Sequence, residues 1–365
     1  MIEVVPRHPG GDALEMARRV ASFIGAATRS LDLALYDVRL PGEPGDIVAA
    51  ALREAHDRGV KLRIAYNADH PEQLIFPPPP RTKPELLEAM PFPTCGIPGI
   101  PDLMHHKYVV RDSESVWTGS MNWTTDSWTL QENVVLVAEQ APDLAAEFAR
   151  NFDELWTTRN VDATGHQDPR PVDAGGQEAR AWFTPGHGEE LSHRIAKAIG
   201  KARERVRIAS PVITAGPVLG TLAEVSAEHR VDLRGVVDRT QVDQVVYQWR
   251  TNGHSAWKIP ILACVLANAD FKGKPSTQWT PETPHDFMHA KVTVADDWVF
   301  AGSFNLSRSG EMNAENVVEV RDAELADRLA AFIDEIRERY EPMPVPAGEP
   351  PTSAGRAPRS ARPPR

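Results

Sequence analysis

The sequence predicts an α/β protein of two similar α/β units, each a mixed sheet flanked by helices, packed with pseudo-twofold symmetry around one active site. Three observations carry this reading. The segment His105-His106-Lys107-Tyr108-Val109-Val110-Arg111-Asp112, followed by Gly119-Ser120-Met121-Asn122, recurs as His289-Ala290-Lys291-Val292-Thr293-Val294-Ala295-Asp296, followed by Gly302-Ser303-Phe304-Asn305. Strand-like and helix-like patterns alternate upstream of both copies, as they do in layered α/β folds. The length of 365 residues suits two domains of ordinary size.

The elements follow in order. Asp12 with Glu15 resembles a capping box, and Leu14, Ala17, Ala21 and Ile24 form the apolar stripe of a first helix. Leu31, Leu33 and Leu35 alternate as a strand. A second helix is expected from about Ile47 to Gly59, a C-terminal cap, before the strand Val60-Lys61-Leu62-Arg63-Ile64. In the second unit Leu191, Ile195 and Ile199 make the helix stripe, Val206 and Ile208 mark a strand, and Pro217 to His229 is the next helix. Val231-Asp232-Leu233-Arg234 then echoes Val60-Lys61-Leu62-Arg63. The repeat runs past the motifs, since Glu132-Asn133-Val134-Val135-Leu136-Val137 matches Glu315-Asn316-Val317-Val318-Glu319-Val320. Asp238 stands where Asn67 stands in the first unit, with no role legible for either.

These patterns place the first unit at 1–158, a linker at 159–178 and the second unit at 179–341. Pro342 to Arg365 is rich in Pro, Ala and Arg without apolar periodicity and is expected to be a disordered tail. Its Arg356, Arg359, Arg362 and Arg365 read as solvated rather than as an anion-binding surface. Pro77 to Pro80 is expected as a stiff loop and 250–288 as a longer one, each ahead of a motif and so positioned to select substrate.

The motif residues form a kit for holding a phosphate and attacking it. If the His-x-Lys segments are strands, alternation puts His and Lys on one face and turns His106 away from His105. An ammonium neutralises a phosphoryl oxygen, and Ser and Asn add neutral donors. Glycine before the serine allows close backbone approach. Displacement at phosphorus needs a nucleophile on one side and a proton donor to the leaving oxygen on the other, roughly in line. One histidine from each copy supplies that pair, so both copies are expected to build one site.

The doubled HxKx4D pattern with its trailing GSxN resembles the phospholipase D superfamily, over nearly the whole folded chain. The resemblance implies a fold of this α/β kind with the site at the seam between halves. It implies that one histidine forms a phosphohistidine while the other protonates the departing alcohol and then activates water or an acceptor alcohol, with no metal or other cofactor. By similarity His105 is the nucleophile and His289 the acid/base. The catalytic candidates are therefore His105, Lys107, Asp112, His289, Lys291 and Asp296, with Ser120, Asn122, Ser303 and Asn305 as substrate-binding candidates. Glu132 and Glu315 stand where family members carry a glutamate that orients an imidazole.

Composition constrains partners less. A net charge of −11 argues against a broadly basic nucleic-acid surface, although Lys107 and Lys291 mark a local cationic centre. The chain has only nine lysines, which makes two at matched positions the more telling. No stretch approaches the roughly 20 apolar residues of a membrane span, and no secretory signal is evident, so a cytoplasmic protein with at most peripheral membrane contact is expected. Cys95 and Cys264 are expected as buried free thiols. The pairs His285/His289 and His105/His106 lack the further ligands of a zinc site. Trp123, Trp128, Trp298 and Phe304 flank the motifs and read as core before base-stacking or acyl-lining groups.

The expected activity is cleavage or transfer of a phosphodiester, with a phospholipid head group as the favoured substrate. A metal-independent endonuclease is the alternative, because Met104-His105-His106-Lys107 and Gly119-Ser120-Met121-Asn122-Trp123-Thr124 also look like the superfamily's small bacterial nucleases. A non-catalytic phosphate-binding scaffold is the third reading, disfavoured because every motif position is filled twice. With both motifs in one chain, a monomer is sufficient for the site.

Overall fold

The computed structural model describes residues 2–68, 87, 89–278, 280 and 282–346. Two mixed sheets carry the two halves. The first contains β1 (Ile2–Arg7), β2 (Ser30–Leu35), β4 (Lys61–Ala68), β5 (Thr94–Pro98), β6 (Lys107–Arg111), β7 (Ser115–Gly119) and β9 (Asn133–Ala138), while β3 (Val38–Arg39) and β8 (Trp123–Thr124) pair separately. The second contains β10 (Val172–Asp173), β11 (Glu178–Phe183), β12 (Arg205–Ala209), β13 (Asp232–Asp238), β14 (Asp270–Lys274), β15 (Val292–Ala295), β16 (Trp298–Gly302) and β17 (Asn316–Arg321).

The strand orders show the duplication directly. They are β1-β9-β7-β6-β2-β4-β5 and β10-β11-β17-β16-β15-β12-β13-β14, identical once the edge strand β10 is set aside. In each, three strands run parallel (β2, β4, β5 and β12, β13, β14) and the motif strands join them antiparallel. Described helices link β2 to β4, β12 to β13 and β13 to β14, as parallel pairing requires. Ala13–Gly25 and Glu43–Asp57 cover the outer face of the first sheet, and Gly188–Lys201 and Gly216–Glu228 that of the second.

Three cores result, two outside the sheets and one between them. The middle core takes the inner faces of both sheets together with the helices Pro142–Thr158 and Ala323–Arg337, through Phe148, Phe152, Phe183, Phe332 and Ile333. The seam between the halves is therefore an apolar layer rather than a wet domain interface. Close packing across that layer holds side chains from opposite halves in one constellation.

Several expectations change. Asp12 caps the first helix through Leu14 N at 2.8 Å, but the buried stripe is Met16, Ala17, Val20, Phe23 and Ile24, about one position round from the expected one. The second helix starts earlier, at Glu43. Residues 250–288 are not one loop, because the helix Arg239–Asn252 ends within them and the helix Lys258–Asn268 and β14 follow. The linker holds a 3-10 turn, Val161–Ala163, and the edge strand β10. The tail does not begin at Pro342, which bridges to Lys272, nor at Met343, which is buried and bonded to the Phe271 carbonyl. The tail from residue 347 onward and Pro77 to Pro80 lie outside the described residues. Cys95 is buried, but Cys264 is half-buried and accepts from Asn268 Nδ2. No described helix is long and apolar enough to cross a membrane.

The repeat itself is offset in space. Gly119 faces Val135 in the ladder, whereas Gly302 faces Val317, so β9 and β17 are offset by one residue from the sequence match. The faces agree: Val134, Leu136 and Ala138 point into the middle core, as Val318 and Val320 do, while Val135, Val137 and Val317 point outward. Asn133 therefore corresponds in space to Glu315, and Glu132 to Ala314. The extra residue lies after the short helix Thr125–Thr129, where Leu130-Gln131-Glu132 stands against Asn313-Ala314 after Arg308–Met312.

Candidate active site

In each half the motif strand and the next strand form an antiparallel hairpin, β6 with β7 and β15 with β16. His105 just precedes β6 and Gly119-Ser120 closes β7, so the hairpin brings both to the same sheet end. The same holds for His289 and Gly302-Ser303. Close packing there requires the glycines: a Cβ on Gly119 would lie 2.2 Å from the Val134 carbonyl oxygen, and one on Gly302 2.1 Å from that of Asn316.

The two sheet ends meet across the seam. His105 Nδ1 lies 2.8 Å from Glu315 Oε2, and His289 Nδ1 lies 3.1 Å from Asn133 Oδ1. The serine backbones cross as well, Ser303 bonding the His105 imidazole and Ser120 that of His289. Lys291 Nζ donates to the His289 carbonyl at 2.7 Å, and Lys107 Nζ donates to the His105 carbonyl in the same way. Tyr36, not singled out in the sequence, packs its ring 4.5 Å from that of His105 and under Lys107 Nζ at 4.6 Å. Four catalytic candidates from two halves thus share one buried site.

Burial and mutual repulsion set the electrostatics. Both imidazoles are pushed well below the usual histidine range, first by burial and then by the ammoniums of Lys107 and Lys291. Burial also lowers Lys107 well below its ordinary value and Lys291 to about 7, while raising Glu315 to about 8 against the pull of both lysines. A pocket of this kind holds cations at a cost and is relieved by an anion.

The structure does not bring every candidate to that point. Asp112 accepts from Thr28 N, Arg29 N and Ser30 N at 2.9, 2.6 and 2.9 Å, and Asp296 accepts from Arg203 N, Glu204 N and Arg205 N at 2.9, 2.9 and 3.1 Å. Both lie at the hairpin turn, at the far end of the motif strand from the histidine, and clamp the chain entering β2 and β12. The Ser120 and Ser303 hydroxyls are engaged with backbone, accepting from Val134 N and Asn316 N at 3.0 Å. Asn122 and Asn305 each keep an Oδ1 that is buried without a partner. Glu132 is not on His289 but 2.7 Å from Lys274 Nζ and bonded to the Tyr340 hydroxyl.

Other side chains acquire roles the sequence left blank. Asn67 Oδ1 accepts from Met104 N at 3.0 Å and Asp238 Oδ2 from Met288 N at 2.9 Å, so each fixes the residue before a histidine. Their matched positions were the available signal. His106 is turned away, with Nδ1 3.1 Å from Asn316 Nδ2. His285 meets Arg39 and the Thr280 carbonyl rather than pairing with His289. Trp123, Trp128 and Phe304 are core, and Trp298 is half-buried beneath Arg194.

Fold and site define a duplicated α/β protein whose halves each contribute a histidine and a lysine to one shared centre. A family model described as cardiolipin synthase, PLD-like domain, matches residues 20–156 and 195–337. The chain belongs to that phospholipase D-like family. It is 29% identical over 143 residues to a mitochondrial cardiolipin hydrolase of Chlamydomonas reinhardtii, covering 38% of this chain and 56% of that one. A probable cardiolipin synthase, YwiE of Bacillus subtilis, is 22% identical over 306 residues, 80% of this chain and 58% of its own. The chain thus spans about half the length of the curated relatives it matches. The crystal structure of a phosphatidylserine synthase from Haemophilus influenzae superposes with a TM-score of 0.64 at 12% identity, over 93% of this chain and 87% of that one, and so shares the fold.

Proposed function

We propose that this protein cleaves or transfers a phosphodiester through a phosphohistidine, with a phospholipid head group as substrate. The observation that carries this is the convergence of His105 and His289, each bonded across the seam by a residue of the other half, beside Lys107 and Lys291.

The Nδ1–H of His105 faces Glu315, which leaves Nε2 as the attacking lone pair. Nε2 bonds to phosphorus as the P–O bond to the leaving alcohol breaks, and His289, which takes up a second proton at Nε2 as the anionic phosphodiester offsets the two ammoniums, gives that proton to the leaving oxygen. Neutral His289 then takes a proton from water or an acceptor alcohol, whose oxygen attacks phosphorus and breaks the P–N bond. The two ammoniums balance the charge on the phosphoryl oxygens in both steps. Asn122 and Asn305, with their open Oδ1 acceptors, are suited to a head-group hydroxyl or the attacking water. Asp112 and Asp296 act by holding the motif hairpins, not on the substrate.

Lipid is favoured by the cardiolipin-related names of the relatives and by a net charge unsuited to tracking a polynucleotide. The test is turnover in EDTA on phosphatidylglycerol or cardiolipin vesicles and on single-stranded DNA, with His105→Ala as control. Head-group release that the variant lacks supports the proposal; variant-sensitive DNA cleavage replaces lipid with nucleic acid, and restoration of lost activity by a metal overturns the mechanism.

A further inference from the structure

We propose that Asn133, not Glu132, orients His289, and that Lys274 and Tyr340 hold Glu132 out of the site, so that the two histidines are backed by chemically different groups. The seam bridges show how this comes about. His105 N donates to the Ala314 carbonyl at 2.9 Å and its ring meets the next residue, Glu315; His289 N donates to the Glu132 carbonyl at 3.1 Å and its ring meets the next residue, Asn133. The rule is the same in both halves, and the extra residue ahead of β9 changes which side chain obeys it. A one-residue slip sends every side chain of an extended segment to the opposite face.

The direction of the Asn133 amide is fixed by its other partners. Nδ2 donates to the Ser127 carbonyl and to Gln131 Oε1 at 3.1 and 3.2 Å, and Oδ1 also accepts from Ser120 Oγ at 2.7 Å. The carbonyl end must therefore face His289, whose proton sits on Nδ1. Glu132 is committed elsewhere, since Lys274 Nζ also bonds the Leu130 and Phe287 carbonyls at 3.0 and 3.4 Å and so cannot follow the carboxylate if it turns.

The consequence is an inequality in how each imidazole carries charge. A carboxyl group, able to ionise as the ring beside it becomes positive, stabilises that charge more than an amide dipole does. His105, backed by Glu315, suits the ring that bears the phosphoryl group. His289 faces Lys291, Lys107 and His105 with the Asn133 amide and the Ser120 backbone behind it but no carboxyl, and so gives up its proton readily. This last step rests on the two-histidine reading of the reaction; the assignment of Asn133 does not.

The test is NMR of the full chain with isotope-labelled histidine, the His289 signals being assigned by their loss in His289→Gln. In the wild-type protein the His289 proton is expected on Nδ1, and a proton on Nε2 overturns the proposal without any variant. Asn133→Asp is expected to raise the His289 pKa by about one unit or more, as a carboxylate neighbour does. The double variant Glu132→Gln/Lys274→Met, which removes the ion pair as a unit, is expected to leave it in place. A His289 that responds to the double variant and not to Asn133→Asp overturns the proposal. These readouts need no substrate, so failure of the phosphodiesterase assays would count against the proposed activity alone.

Discussion

Glu315 and His105 lie 2.8 Å apart although they belong to different halves. The site therefore exists only when the halves are docked.

Replacing either His105 or His289 with Ala should lower kcat by roughly 10⁴-fold or more, because each performs a step the other cannot. Two independent sites would leave about half the activity in each single variant. Steady-state turnover with the preferred phosphodiester distinguishes the two.

Lys107→Met and Lys291→Met should each lose about 2–4 kcal/mol of transition-state stabilisation, appearing in kcat/KM. An unchanged kcat/KM for either variant would remove that lysine from the site.

Asp112→Ala should cost stability and spare chemistry. Its carboxylate serves three backbone amides, so folding should weaken by about 1–3 kcal/mol while kcat stays near wild type. Those bonds also hold the carboxyl below its usual range. A depressed folded-state pKa adds stability above the unfolded value near 4 that is lost as pH falls through the folded value. Acid unfolding of Asp112→Ala should thus be less steep below about pH 4, and urea melts at a series of acidic pH values measure it.

Anion binding should weaken with rising pH. Sulfate does not titrate between pH 6 and 9 but needs the Lys291 ammonium, whose pKa is near 7. Above pH 7 that proton must be taken up on binding, so affinity should fall by about tenfold per unit. Glu315, at about 8, acts in the same direction as it ionises. Calorimetric titration with sulfate should show this trend, and a flat profile would contradict the charge state assigned to Lys291.

Much of this protein was legible in one dimension because it depends on local patterns. The repeated His-x-Lys, the Gly-Ser-x-Asn segments and the alternation of strands with helices determined two α/β units, the histidine and lysine candidates, and the turn away of His106. Asp112 and Asp296 sit in the same motif, but motif membership does not say at which end of a strand a residue falls. Only the hairpin shows that their carboxylates face loop amides. The same limit governed Glu132. Its sequence match to Glu315 looked exact in spacing, yet one extra residue after a short helix shifted the strand, and with period two a shift of one changes the face. Which residue stands behind each histidine depends on contacts between positions far apart in the chain, such as Asn133 with His289 and Glu315 with His105, and those are decided by how two sheets pack on one shared core.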